Sequence, residues 1–150
     1  ALLKGDRRPP IHWTPPTAAL TRILARDTLK LHGGTMQCPF TEPHVARLGE
    51  VEQQHGYRES FQAAGHEITF YNAGHIPGSA HVLVDDGETR LLYTADFHTD
   101  DTRLLSGSTA RPPADVVLCE STYANVDHEP RATVEERFES YGQQPGDDGN

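Results

Sequence analysis

Three polar residues with metal-ligand or acid–base chemistry stand at the ends of apolar runs. They are His75, after the alternating segment that ends at Ala73, Asp96, after Leu91-Leu92-Tyr93, and Glu120, after Val116-Val117-Leu118-Cys119. A neutral imidazole and a carboxylate suit Zn²⁺. Two ligands do not make a zinc site, because a zinc enzyme needs at least three protein ligands and an open position. In α/β layers, polar groups at carboxyl strand ends line the crevice where ligands bind. None of the nine histidines is spaced as His-x-His, and no Cys-x-x-Cys joins Cys38 to Cys119.

The elements that must position these residues are strands in the second half. Ile68, Phe70 and Asn72 alternate with Thr69 and Tyr71, and Ala73-Gly74 ends that run. Ala80 to Val84 and Thr89 to Thr94 read as a hairpin around a two-residue Asp86-Gly87 turn, which pairs Asp85 with Glu88. Carried onward, that register sets Pro77 opposite Asp96 and makes His75 a diagonal neighbour of Asp96, roughly 7–8 Å away. Ala114 to Cys119 reads as a short buried strand, so Cys119 is expected to be a reduced core thiol in an intracellular compartment.

Upstream, Ile11-His12-Trp13 is a strand segment closed by Pro15-Pro16, and Thr17 reads as the N-cap of a helix over 18–31 ended by Gly33-Gly34. A helix is expected from Glu42 to Gln54, and residues 57–64 fit either state. Residues 99–113 read as a loop, Arg131 to Ser140 as a solvated or linker helix, and 142–150 as a disordered tail. His98 with Asp100 and Asp101 reads as a solvated loop, His81 as a sheet-surface histidine, and His12, His32, His44, His55 and His66 as solvated.

Composition bounds the rest. The chain has 150 residues, 35% of them hydrophobic, with a net charge of -9. Residues 1–60 carry eight basic and six acidic side chains, and 61–150 carry five and sixteen. Lys4 and Lys30 are the only lysines. That surface fits either a protein built for high salt, where self-repulsion is screened, or an arginine-rich codon bias. A large electrostatic contribution to nucleic-acid binding is not visible. No run approaches the roughly 20 apolar residues of a membrane span, and Ala1 to Pro10 lacks a signal peptide's apolar core. A soluble, cytoplasmic protein is expected.

Longer stretches carry a family resemblance. Ala73-Gly74-His75-Ile76-Pro77-Gly78-Ser79-Ala80, then Leu92-Tyr93-Thr94-Ala95-Asp96-Phe97, then Glu120-Ser121-Thr122-Tyr123 resemble motifs of the metallo-β-lactamase-fold nucleases of the β-CASP group, above all archaeal relatives of the mRNA 3′-end cleavage factor. Thr14-Pro15-Pro16-Thr17-Ala18-Ala19-Leu20 with Asp27, and the later His128 and Arg131, extend the resemblance from about Ile11 to Arg131. It implies an α/β (α+β) chain, a partial metallo-β-lactamase αββα four-layer sandwich over 1–130, with 131–150 the start of the β-CASP region or a tail.

The resemblance also implies roles. His75 would be a zinc ligand and Asp96 would bridge two zinc ions. Glu120 would be the first β-CASP acidic motif, orienting a histidine further downstream. The implied activity is hydrolysis of RNA phosphodiester bonds in a two-metal site. The family's His-x-His-x-Asp-His motif is absent, so the chain is expected to be a fragment, inactive alone. The alternatives are a non-catalytic truncated or split protein that binds its missing half or a homodimer partner, and another hydrolase of the same fold. Ala95 and Ala124 stand where the family usually has glycine, and Ala95 is strained if its backbone needs positive φ.

Overall fold

Alternation from His66 onward builds the longest strand, and the rest of the main sheet assembles around it. The computed structural model describes residues 8–35 and 38–142. The described part divides into two compact units, with the boundary between Glu120 and Ser121. In the first unit, β3 (Ser60–Ala63), β4 (His66–Asn72), β5 (Ala80–Asp85), β6 (Arg90–Tyr93) and β7 (Val116–Leu118) form one sheet in sequence order. All its neighbours are antiparallel except β6 and β7, which run parallel. A separate parallel pair joins β1 (Ile11–Trp13) to β2 (Glu52–Gln54).

Between β1 and β2 lie α1 (Pro15–His32), α2 (Glu42–Ala46) and α3 (Leu48–Val51). Helix α1 starts earlier than the sequence predicts. Thr14 is the N-cap, its side chain accepting from Thr17 N–H at 3.4 Å, with Pro15 and Pro16 in the first helical positions. Proline has no N–H to leave unpaired there and its φ already fits a helix, so the pair opens the helix rather than closing the strand. The predicted helix over 42–54 is two short helices followed by β2. Val51 ends the second, and Glu52 then pairs with Ile11 and forms an ion pair with Arg22.

The hairpin register also differs from expectation. Asp85 pairs with Arg90, not Glu88. The Asp86 carboxylate accepts both Glu88 N–H and Thr89 N–H, at 2.9 and 2.7 Å, while Asp85 accepts Gly87 N–H at 2.8 Å. Aspartates that capture amides ahead of them widen a two-residue turn into a longer one. Arg90, and then the Gly87 amide, hold the Asp85 carboxyl below the usual carboxylate range. Because pairing moves by two residues, every side chain keeps its face, but Pro77 no longer stands opposite Asp96.

The core is small. Trp13, Ala18, Val45, Phe70, Ala73 and Leu83 are its buried apolar residues. The expected burial of the last strand does not occur. Val116, Val117 and Leu118 are 48–58% exposed and Cys119 is exposed, because β7 is the sheet's edge and gains one neighbour only.

The second unit contains the turn at 122–125 and α4 (Arg131–Gly142). Arg131 pairs with Glu135 one turn on, and Tyr123 meets His128 edge to face. Ala124 is not left-handed, so its position does not demand glycine. From residue 143 the expected tail lies outside the described residues. Among the described residues no helix is long and apolar enough to cross a membrane.

Candidate active-site residues at one end of the sheet

His75 belongs to the tight connection from β4 to β5, and that connection is fastened on both flanks. Gly74 has φ 71°, and a Cβ there would sit 2.5 Å from His98 O and 2.6 Å from Ser108 N, so only glycine fits. Ser79 Oγ accepts the N–H groups of His75 and Ile76 at 3.1 and 3.2 Å. Thr14 and Thr17 hydroxyls, at the start of α1, both donate to Gly78 O, at 2.8 and 2.9 Å. Tyr57 Oη–H donates to Ser79 O at 2.8 Å, and burial pushes the Tyr57 hydroxyl's pKa up. The backbone is therefore fixed while the His75 side chain remains exposed.

Asp96 follows β6 across a left-handed residue. Ala95 has φ 50°, the strained alanine the sequence points to. Thr94 holds the turn from several sides. Its N–H donates to Leu118 O at 3.0 Å, its hydroxyl donates to Ala95 O at 2.9 Å, and that hydroxyl accepts Glu120 N–H at 3.3 Å. Glu120, half-buried after β7, accepts the Phe97 N–H through Oε1 at 3.1 Å. Asp96 is exposed.

The start of β5 and the ends of β6 and β7 lie at one end of the sheet, since β5 is antiparallel to β6 and β6 parallel to β7. His75, Asp96 and Glu120 are gathered at that end. The Glu120 carboxylate reaches the amide joining Asp96 to Phe97. An open cleft at the opposite end, lined by Asp85, Glu88, Arg90 and Asp115, contains none of the three.

The loop over 98–108 closes this end. His98 N–H donates to Ala73 O at 2.9 Å, Ser108 N–H to His98 O at 2.7 Å, and Asn72 Nδ2 to Ser106 O at 3.0 Å. Asp101 accepts Gly107 N–H at 2.9 Å, so it shapes the loop rather than standing free. His98 is half-buried, and its Nε2 has no partner among the described residues.

The expectations for His81, His12 and His55 are corrected. His81 is 4% exposed, with both ring nitrogens engaged, Nδ1 with Thr94 O and Nε2 with Ser108 Oγ, each at 2.7 Å. Alternation places it on the inward face with Leu83, which is the signal that marks it. His12 and His55 are half-buried and share a hydrogen bond of 2.9 Å, with Phe61 stacked 3.6 Å from His55. His44 caps α2.

The donor set does not complete a metal site. Among the described residues no three His, Cys, Asp or Glu side chains cluster closely enough to hold a metal ion. His75 and Asp96 are two donors, one short of a zinc hydrolase.

Helices with a mixed sheet, carrying a histidine turn and two carboxylates at one sheet end, define an α/β chain consistent with part of a metallo-β-lactamase domain. No protein-family model matches the chain. Individual proteins do. It is 34% identical over 133 residues to "Endoribonuclease YSH1" of Mycosarcoma maydis, an alignment covering 87% of this chain and 15% of that protein. It is 33% identical to "Cleavage and polyadenylation specificity factor subunit 3" of Dictyostelium discoideum (87% and 17%) and 33% identical to "Ribonuclease TTHA0252" of Thermus thermophilus (92% and 32%). The chain is thus a homologue of the metallo-β-lactamase-fold RNA-processing nucleases of the β-CASP group, and it spans between about a sixth and a third of these relatives' lengths.

Proposed function

We propose that this chain carries part of the active site of a zinc-dependent ribonuclease that hydrolyses RNA phosphodiester bonds, in the manner of mRNA 3′-end processing enzymes. His75 and Asp96 donate to metal, and Glu120 orients the segment around Asp96. The observation that carries this reading is the Glu120–Phe97 hydrogen bond, which joins the acidic residue of the last motif to the amide following Asp96. The relatives' names supply the substrate class, RNA.

Among the described residues no three donors cluster, so the proposed site needs further ligands beside His75 and Asp96. On this proposal His75 and Asp96 alone do not support hydrolysis, and the 150 residues by themselves are expected not to cleave RNA. A second reading, a non-catalytic chain that binds its complementary half or a second copy, is favoured by the exposed apolar edge at Val116–Leu118.

The test is zinc content and cleavage of a labelled RNA by the 150 residues alone and joined to the coding sequence contiguous with them in the genome. Cleavage by the joined protein only, abolished by Asp96→Asn, supports the first reading. Stoichiometric zinc and metal-dependent cleavage by the 150 residues alone overturn the partial site. Tight association with the complementary half and no cleavage in any form supports the second reading.

A further inference from the structure

We propose that His81 is a positioning residue. It clamps the left-handed turn at Ala95 and so sets the direction in which Asp96 leaves the sheet. The inference rests on the proposed role of Asp96 only for its functional meaning.

The argument starts from hydrogen-bond chemistry. A carbonyl oxygen can only accept, so the His81 Nδ1 facing Thr94 O at 2.7 Å carries a proton. In the neutral ring Nε2 is then a lone pair, and the Ser108 hydroxyl at 2.7 Å donates to it. His81 is 4% exposed and Ser108 is 2% exposed, so water does not compete for either bond. The Phe97 ring, 5.6 Å away, flanks the imidazole.

One ring thereby joins three pieces of chain: β5, the end of β6, and the end of the 98–108 loop. The joint falls where local geometry is unfavourable. An alanine at φ 50° persists only when its surroundings over-determine it. Thr94 N–H is bound by Leu118 O, Ala95 O by the Thr94 hydroxyl, and Phe97 N–H by Glu120. The Thr94 carbonyl is shielded from water, and His81 supplies a donor to it. A histidine serving only to fill space would be indifferent to which nitrogen holds the proton.

The experiment is NMR on the full chain. Long-range ¹H–¹⁵N correlation on the wild type is expected to show His81 as the neutral Nδ1–H tautomer. An Nε2–H or averaged ring overturns the clamp, and this result needs no variant to fold. His81→Asn keeps an amide donor near the Nδ1 position, and His81→Gln places it near Nε2. Amide exchange at Thr94 and Phe97 is expected to stay near wild type in H81N and to rise about tenfold in H81Q, the size of one lost hydrogen bond. Equal effects in both variants, or none in either, overturn the proposal. Asp96→Asn serves as the separating control. It leaves the tautomer and the exchange pattern unchanged, while its effect on RNA cleavage by the joined protein reports on the proposed function alone.

Discussion

The Glu120 carboxylate accepts the Phe97 N–H at 3.1 Å, so a residue two positions past the last strand of the sheet is bonded to the amide following Asp96. A carboxylate at a strand end can serve a downstream partner, cap a turn, or hold its neighbour, and here it holds its neighbour. Glu120→Gln retains an oxygen at the same place and is expected to keep the bond. Glu120→Ala leaves a half-buried N–H unpaired and is expected to cost about 1–2 kcal/mol. Urea midpoints of the two variants check this. Equal destabilisation by both would mean that charge, not the bond to Phe97, is what matters.

Ala95 is left-handed at φ 50° in the turn that presents Asp96. An L-residue is disfavoured there by about 1–2 kcal/mol, and glycine is not. Part of that gain is offset by glycine's greater freedom in the unfolded chain. Ala95→Gly is expected to stabilise the fold by roughly 0.5–1 kcal/mol, and Ala95→Val to destabilise it. Thermal melts decide it, and a lower Tm for the glycine variant would show that the turn carries no strain.

His12 and His55 share a single hydrogen bond of 2.9 Å beneath Phe61. One nitrogen must donate and the other accept, so two protonated rings cannot keep it. Burial first, then the nearby His12, pushes the His55 pKa below its ordinary 6.5, while Glu59 opposes this. The folded state thus favours neutral His55, and the unfolded state binds more protons between the two pKa values. The contribution is fully present above 6.5 and is lost as pH falls through the lower, folded value. Urea midpoints are expected to drop on acidification across that window. His55→Phe, which keeps a ring against Phe61 but cannot titrate, should show a flatter profile.

Much of this arrangement is legible in the sequence, and the parts that are not have identifiable causes. Period-two alternation locates β4, β5 and β6, since burial of one sheet face imposes it directly. The hairpin register escapes because it depends on where two adjacent carboxylates send their oxygens, and Asp85 and Asp86 capture three amides between them. The start of α1 escapes because Thr14 and Thr17 are both good caps and both hydroxyls reach Gly78 O; what marks Thr14 as the cap is that its hydroxyl accepts Thr17 N–H, with Pro15 and Pro16 in the first helical positions. His81 could have been placed by its alternation with Leu83. The exposure of Val116–Leu118 could not, since an apolar run reads the same at a sheet's edge as at its centre. His75, Asp96 and Glu120 are legible as motif residues, but the Glu120–Phe97 bond that relates two of those motifs depends on the parallel placement of β7 beside β6.

Gly78 is where the His75 turn meets α1. Its φ is 87°, and a Cβ added there would lie 2.6 Å from Thr17 N and 2.7 Å from Thr14 Oγ1. The first of these is backbone at a helix start and cannot swing aside. An alanine must therefore push the turn away from α1, lengthening the two threonine bonds to Gly78 O while adopting an unfavourable φ. Gly78→Ala is expected to destabilise the chain by about 2–3 kcal/mol. Thr14→Ser, which keeps the hydroxyl, should cost far less than Thr14→Val, which removes both the bond to Gly78 and the helix cap. Urea denaturation of the three variants separates the effects. A near-neutral Gly78→Ala would mean the turn is not seated on the helix, and the backbone at His75 would then lack one of its anchors.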